Sequence, residues 1–247
     1  MKWLRFLWAL LIFLIGFIFC LFIPVIICAP LPVKKRLVFI SPAWKLFGYF
    51  LLKIGFGTKV FTQDKRSKDK KKLVCVYISN HQSYLDVPLV LTQFQVPPIM
   101  KKEILYIPFF GLLAWLSGSL IVSRSSQSSR KKTLEKARHR LLIEKLSLQF
   151  YPEGTRTKNA LPRPLKEIKM PLIKLAYQHN IPVISTSIYG TREAYEMNKE
   201  FAWSKKVAIS VAQPIFPQDF SSEEEFVSAC WAQVTSGYDE LKMRFEN

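Results

Sequence analysis

The side chains of this sequence best suited to moving a proton are His81 and Asp86, in the run Asn80-His-Gln-Ser-Tyr-Leu-Asp86. A neutral imidazole accepts a proton near pH 7, because its unperturbed pKa is about 6.5. If a turn and a helix start lie between them, the Asp86 carboxylate returns to one ring nitrogen. That contact fixes the tautomer and leaves the other nitrogen as a base. The pair alone also has a plainer reading, a histidine at a helix start with an aspartate complementing the helix dipole. A second concentration of chemistry is Phe150-Tyr-Pro-Glu-Gly-Thr-Arg-Thr157, which puts a carboxylate, a guanidinium, hydroxyls and backbone amides into one turn. Guanidinium grips phosphate bidentately. The plainer reading here is an ion pair of Glu153 with Arg124 or Arg156 pinning the turn. Two further runs complete the set: Gly118-Ser-Leu-Ile-Val-Ser-Arg124, ending in a cation, and Ile181-Pro-Val-Ile-Ser-Thr186, which reads equally as core.

These runs must be held by regular elements, and the pattern supplies them. Leu73 to Ser79 is a continuous apolar, β-branched run of buried-strand length that ends next to His81. Strands are also expected at Leu146–Tyr151, Pro182–Tyr189 and Val207–Ala212. Helices are expected at Ser125–Lys145, from Pro171 to about His179, and after the Ser-Ser-Glu-Glu-Glu signature at 221–225. Strands alternating with helices indicate an α/β fold, a mostly parallel or mixed central sheet flanked by helices. Chemistry at strand C-terminal ends suits that architecture.

Charge is distributed unevenly. The 247 residues carry 36 Lys and Arg against 18 Asp and Glu, and residues 1–72 hold +12 of the +18 excess. A nucleic-acid binder spreads basic residues over its folded face; here they flank apolar sequence, so no nucleic-acid partner is expected. Between Arg5 and Lys34 lie 28 residues without a formal charge. Pro24 is expected to end a helix over Phe6–Ile23, about 27 Å long, which matches a bilayer core. The run exceeds a signal-peptide core. A second stretch, Leu37 to Phe56, reads as an amphipathic interfacial helix. The organisation expected is a membrane-anchoring helical segment at 1–60, a basic linker at 61–72 and an α/β domain at 73–247. The clusters Lys34-Lys35-Arg36 and Lys65 to Lys72 suit an anionic cytoplasmic leaflet, which would place the catalytic part in the cytoplasm. The alternative for Lys65–Lys72 is a solvated linker. Four cysteines and three histidines show no metal-ligand or redox spacing, so no metal site is expected.

No Gly-x-Gly-x-x-Gly, Walker-type loop or Gly-x-Ser-x-Gly elbow occurs. The order and spacing of the four runs instead resemble the glycerolipid acyltransferases, specifically the 1-acyl-sn-glycerol-3-phosphate acyltransferases. That family carries Asn-His-x-Ser-x-x-Asp, Gly-x-x-Phe-Ile-x-Arg, Phe-Pro-Glu-Gly-Thr-Arg-Ser and Val-Pro-Val-Ile-Pro blocks. This sequence departs at Ile121 and Val122, at Tyr151 and Thr157, and at Ser185.

The resemblance, which covers about residues 73–190, implies a glycerol-phosphate acyltransferase-like fold with His81 as general base and Asp86 orienting it. It also implies Lys101, Lys102, Arg124 and Arg156 as the phosphate-binding cations, with Glu153, Gly154 and Thr155 shaping the acceptor pocket. The implied reaction moves an acyl group from a thioester (acyl-CoA or acyl carrier protein) to lysophosphatidic acid, giving phosphatidic acid at the membrane surface without a cofactor. Ile107–Trp115 could line the acyl chain, with core packing as the alternative. Another lysolipid acceptor, such as a lyso-ornithine lipid, and a non-catalytic membrane-surface protein are the competing readings.

Overall fold

The computed structural model describes residues 2–94, 96–107, 110–123, 125–195 and 205–246. The chain opens with α1 (Lys2–Gly16), which continues through a π-helical turn (Phe17–Phe22) into α2 (Ile23–Ile27). Pro24 therefore does not end the helix as its sequence position suggested. Its missing N–H falls just after the π turn, where the Ile23 N–H already reaches back five residues to the Ile18 carbonyl. Proline is tolerated at such a first-turn position. After Pro30 and Pro32, α3 (Val33–Phe50) returns and closes in a second π turn (Leu51–Gly55). Both stretches, Trp3–Ile27 and Val33–Gly55, are long and apolar enough to cross a membrane. Trp3, Phe19, Ile27, Val38 and Phe39 point outward, whereas Ile12, Phe17, Ile40, Trp44 and Leu52 pack inward.

Arg36 departs from its expected place at a lipid headgroup. It is buried, and its guanidinium donates to the carbonyls of Cys28 (3.2 Å), Ala29 (2.7 Å), Leu31 (2.7 Å) and Leu116. It thus satisfies orphan carbonyls where the α2–α3 elbow meets α5 (Phe110–Leu116), a job that five fixed donors do well.

The main sheet has five strands: β1 (Lys59–Asp64), β2 (Val76–Ser79), β5 (Leu148–Phe150), β6 (Val183–Tyr189) and β7 (Lys206–Val211). They lie in the order β1-β7-β6-β2-β5, parallel except for β6 against β7. A parallel bridge from Pro98 to Gln149 carries the sheet on to β3 (Ile99–Lys101), which pairs with β4 (Leu120–Val122). The mixed, mostly parallel sheet expected from the sequence is present. The linker expected over 61–72 is not all linker, because residues 59–64 form the edge strand β1, in register with Lys206–Val211. An edge strand has one partner, and no side chain of this one is buried, so its pattern carries little apolar signal.

Alternate strand residues feed two cores. On one face, Tyr77, Ile184, Ile188 and Ile209 pack with α1–α3 and with α4 (Asp86–Leu91). On the other, Val76, Ile78, Leu148 and Val183 pack with α6 (Gln127–Leu142), α7 (Pro171–Gln178) and α9 (Glu223–Phe245). Ser126 and Ser222 cap α6 and α9 by accepting from the backbone N–H groups of Ser129 and Glu225. The stretch Ile107–Trp115 is not simply core: Ile107, Leu112 and Trp115 face outward, and of its described side chains only Ala114 is buried.

Candidate active site

The site forms where β2 stops. Asn80 ends the strand by imitating one more rung of the ladder. Its Nδ2 donates to the Ile188 carbonyl and its Oδ1 accepts from the Ile188 N–H, both at 2.8 Å. The chain then turns outward at His81 and re-enters as α4, whose first residue is Asp86. That geometry returns the carboxylate to the ring: His81 Nδ1 and Asp86 Oδ2 are 2.6 Å apart.

Asp86 is fully buried and multiply bonded. Oδ2 also accepts from the backbone N–H groups of Gln82 (2.7 Å) and Ser83 (3.0 Å), and Oδ1 accepts from Thr191 Oγ at 2.5 Å. An oxygen that already accepts from two N–H groups takes a third donor at 2.6 Å, which places the ring proton of His81 on Nδ1. His81 Nε2 is then the free lone pair, on a side chain that keeps about a fifth of its surface exposed. Thr191 was not legible as a site residue. It opens α8 (Thr191–Ala194), directly after Gly190 at φ +81°. A Cβ at Gly190 would sit 2.1 Å from the Lys206 carbonyl oxygen, so the turn that presents Thr191 requires glycine.

The second run braces His81 from below. Glu153 is buried and spans two backbone donors, accepting from the His81 N–H at 2.8 Å and the Arg163 N–H at 3.0 Å. Burial raises its pKa to about 7; the two N–H groups oppose that shift and the nearby Asp86 charge adds to it. Thr157 N–H donates to the His81 carbonyl at 2.9 Å. Gly154 closes the Tyr151–Gly154 turn at φ +68°. The ion pair considered with Arg156 does not explain the position of Glu153, and the one considered with Arg124 falls outside the described residues. Arg156 instead lays its guanidinium over the ring of Tyr84, 3.8 Å from the centroid.

Of the other expected residues, Thr155 is exposed beside Arg156, in the same turn. Lys101 and Lys102 are exposed at the C-terminal end of β3. Through the parallel Pro98–Gln149 bridge that is the same end of the sheet as His81. Arg124 lies outside the described residues. The structure therefore joins His81, Asp86 and Glu153 by hydrogen bonds, sets Gly154 in the turn beside Glu153, and places Arg156, Lys101 and Lys102 at more exposed positions.

A buried carboxylate bonded to a partly exposed imidazole, at a strand end of a mixed α/β sheet, is an arrangement that can accept a proton. A family model described as Acyltransferase matches residues 59–189, more than half of the chain. The chain belongs to that acyltransferase family.

It is similar to the 1-acyl-sn-glycerol-3-phosphate acyltransferase of Haemophilus influenzae, 29% identical over 166 residues that make up 65% of each chain. The chain thus spans just under two thirds of that relative's length. The Salmonella typhimurium protein of the same name is 26% identical over 67% of each chain. The human 1-acyl-sn-glycerol-3-phosphate acyltransferase beta is 28% identical over 69% of this chain and 61% of its own. Among solved structures, a Thermotoga maritima 1-acyl-sn-glycerophosphate (LPA) acyltransferase shares the fold, with a TM-score of 0.78 and 24% identity over 98% of both chains.

Proposed function

We propose that this chain transfers a fatty acyl group from an acyl thioester to the sn-2 hydroxyl of 1-acylglycerol 3-phosphate, forming phosphatidic acid. The observation that carries the reading is the 2.6 Å contact between His81 Nδ1 and Asp86, which frees Nε2 beside a turn bearing Arg156. His81 Nε2 takes the hydroxyl proton as the oxygen attacks the thioester carbonyl. The tetrahedral adduct collapses, the C–S bond breaks, and the imidazolium returns the proton to the departing thiolate. Asp86 stays ionised throughout and stabilises the imidazolium. Direct attack requires no acyl-enzyme and hence no serine nucleophile.

Arg156, Lys101, Lys102 and Arg124 bind the acceptor phosphate in this reading, since a dianion suits two or more cations. The relatives' printed names support the acceptor. Acyl-CoA and acyl carrier protein both suit the donor role. The apolar helices at Trp3–Ile27 and Val33–Gly55 support a membrane location, where substrate arrives by lateral diffusion. The remaining basic residues, Lys34 and Lys35 among them, favour an anionic cytoplasmic leaflet, with the catalytic part facing the cytoplasm.

The test is acyl transfer by purified protein in mixed micelles, comparing lysophosphatidic acid with a phosphate-free lysolipid and wild type with His81→Ala. Phosphatidic acid made by wild type alone is the expected result. Transfer only to the phosphate-free acceptor would keep the base and discard the phosphate assignment. The absence of His81-dependent transfer with either donor would discard the reading.

A further inference from the structure

The ring of Tyr151 lies against the imidazole of His81, with centroids 4.3 Å apart and planes inclined by 26°. Asp86 occupies Nδ1 and Tyr151 covers one face, so an acceptor hydroxyl can approach only Nε2 or the opposite face. The phenol oxygen is buried beside the Gln149 side chain, without a hydrogen bond of good geometry between them. Burial, aided by the Asp86 charge, pushes its ionisation far up, so the phenol stays neutral. What this position presents to His81 is the aromatic face.

We propose that Tyr151 is a positioning residue for His81, its ring fixing the imidazole plane and stabilising the imidazolium formed when Nε2 takes a proton. The consequence for turnover rests on the acyl-transfer reading; the electrostatics does not. A cation over an aromatic face is attracted by the ring quadrupole. That attraction holds the ring against Tyr151 when it carries the transferred proton.

The charged groups around the ring leave this contribution separable. Asp86, from the start of α4, meets Nδ1 at the edge of the ring and not its face. Glu153, from the turn after β5, faces the His81 backbone N–H and not its ring. Arg192 on α8 donates to the Thr157 carbonyl, and Arg156 sits over Tyr84.

The experiment is an NMR titration of the His81 ring in detergent-solubilised full-length protein, with His81→Ala assigning the signal among three histidines. Tyr151→Phe keeps the aromatic face and is expected to leave the His81 pKa within about 0.2 unit. Tyr151→Leu removes the face, and pentafluorophenylalanine at 151 keeps its shape while reversing its electrostatics. Both are expected to lower the pKa by about 0.5–1 unit and kcat by about three- to tenfold, with acceptor KM little changed. The fluorinated variant preserves the packing, so it decides the matter if the leucine variant folds poorly. An unmoved pKa with the fluorinated ring, or an equal shift in Tyr151→Phe, overturns the proposal. The expected shifts in a protein that transfers no acyl group would uphold the stack and sink the acyl-transfer reading instead.

Discussion

Around Asp86, four donors from two separate segments converge on two carboxylate oxygens, and none of the carboxylate is exposed. Around Arg156, the ring of Tyr84 supports a guanidinium that remains partly in water, and Lys101 and Lys102 are more open still. The His81–Asp86 pair is tightly held by hydrogen bonds, whereas these cations sit at more exposed positions. Preorganised groups act on the reacting atoms, and loosely held ones act on affinity. Substitutions on the two sides should therefore separate kcat from KM.

The largest effect is expected on the preorganised side. His81→Ala and Asp86→Asn should each lower kcat by about a thousandfold or more with the fold retained, read by single-turnover acyl transfer alongside circular dichroism. A residual rate above a tenth of wild type would remove the pair from the chemistry. Arg156→Ala, on the open side, should raise acceptor KM about tenfold with kcat nearly unchanged. A fall in kcat at constant KM would erase the contrast between the halves.

Thr191→Val sharpens the contrast because Thr191 touches no substrate in this reading. Losing one donor to Asp86 should cost kcat about five- to tenfold and leave KM alone. The smallest effect on rate is expected from Glu153→Gln, whose signature is in stability. The Glu153 carboxyl titrates near 7 when folded and near 4.3 when unfolded. The folded state therefore holds the extra proton between those values. The stability tied to that proton is complete below about pH 4 and lost as pH rises through 7, on the order of 3 kcal/mol. Denaturation of wild type between pH 4.5 and 7.5 should show this decline, and Glu153→Gln should flatten it. Identical slopes would mean that Glu153 does not carry the titration.

How much of this was readable beforehand depended on distance along the chain. His81 and Asp86 are five residues apart, so a turn and a helix start sufficed to bring them together. Thr191 lies 105 residues from Asp86, and nothing local distinguishes it from any other threonine near a strand end. The same holds for Arg36, whose neighbours Lys34 and Lys35 made it look like one more surface charge. The central strands declared themselves through continuous apolar runs. The strand at 59–64 did not, because one partner and exposed faces impose almost no pattern. Pro24 misled for a different reason: proline forbids one hydrogen bond, and a π turn had already moved that bond elsewhere.

The strand at 59–64 also bears on how this protein can be cut. It covers the edge of β7, whose residues from Val207 to Val211 are all buried. A soluble fragment begun at residue 73, the boundary the sequence suggested, would leave that row of backbone donors and acceptors unpaired on an apolar strand, a template for edge-to-edge aggregation. Fragments begun near residue 57 would keep the edge closed, although they would still bare the sheet face that α1–α3 cover.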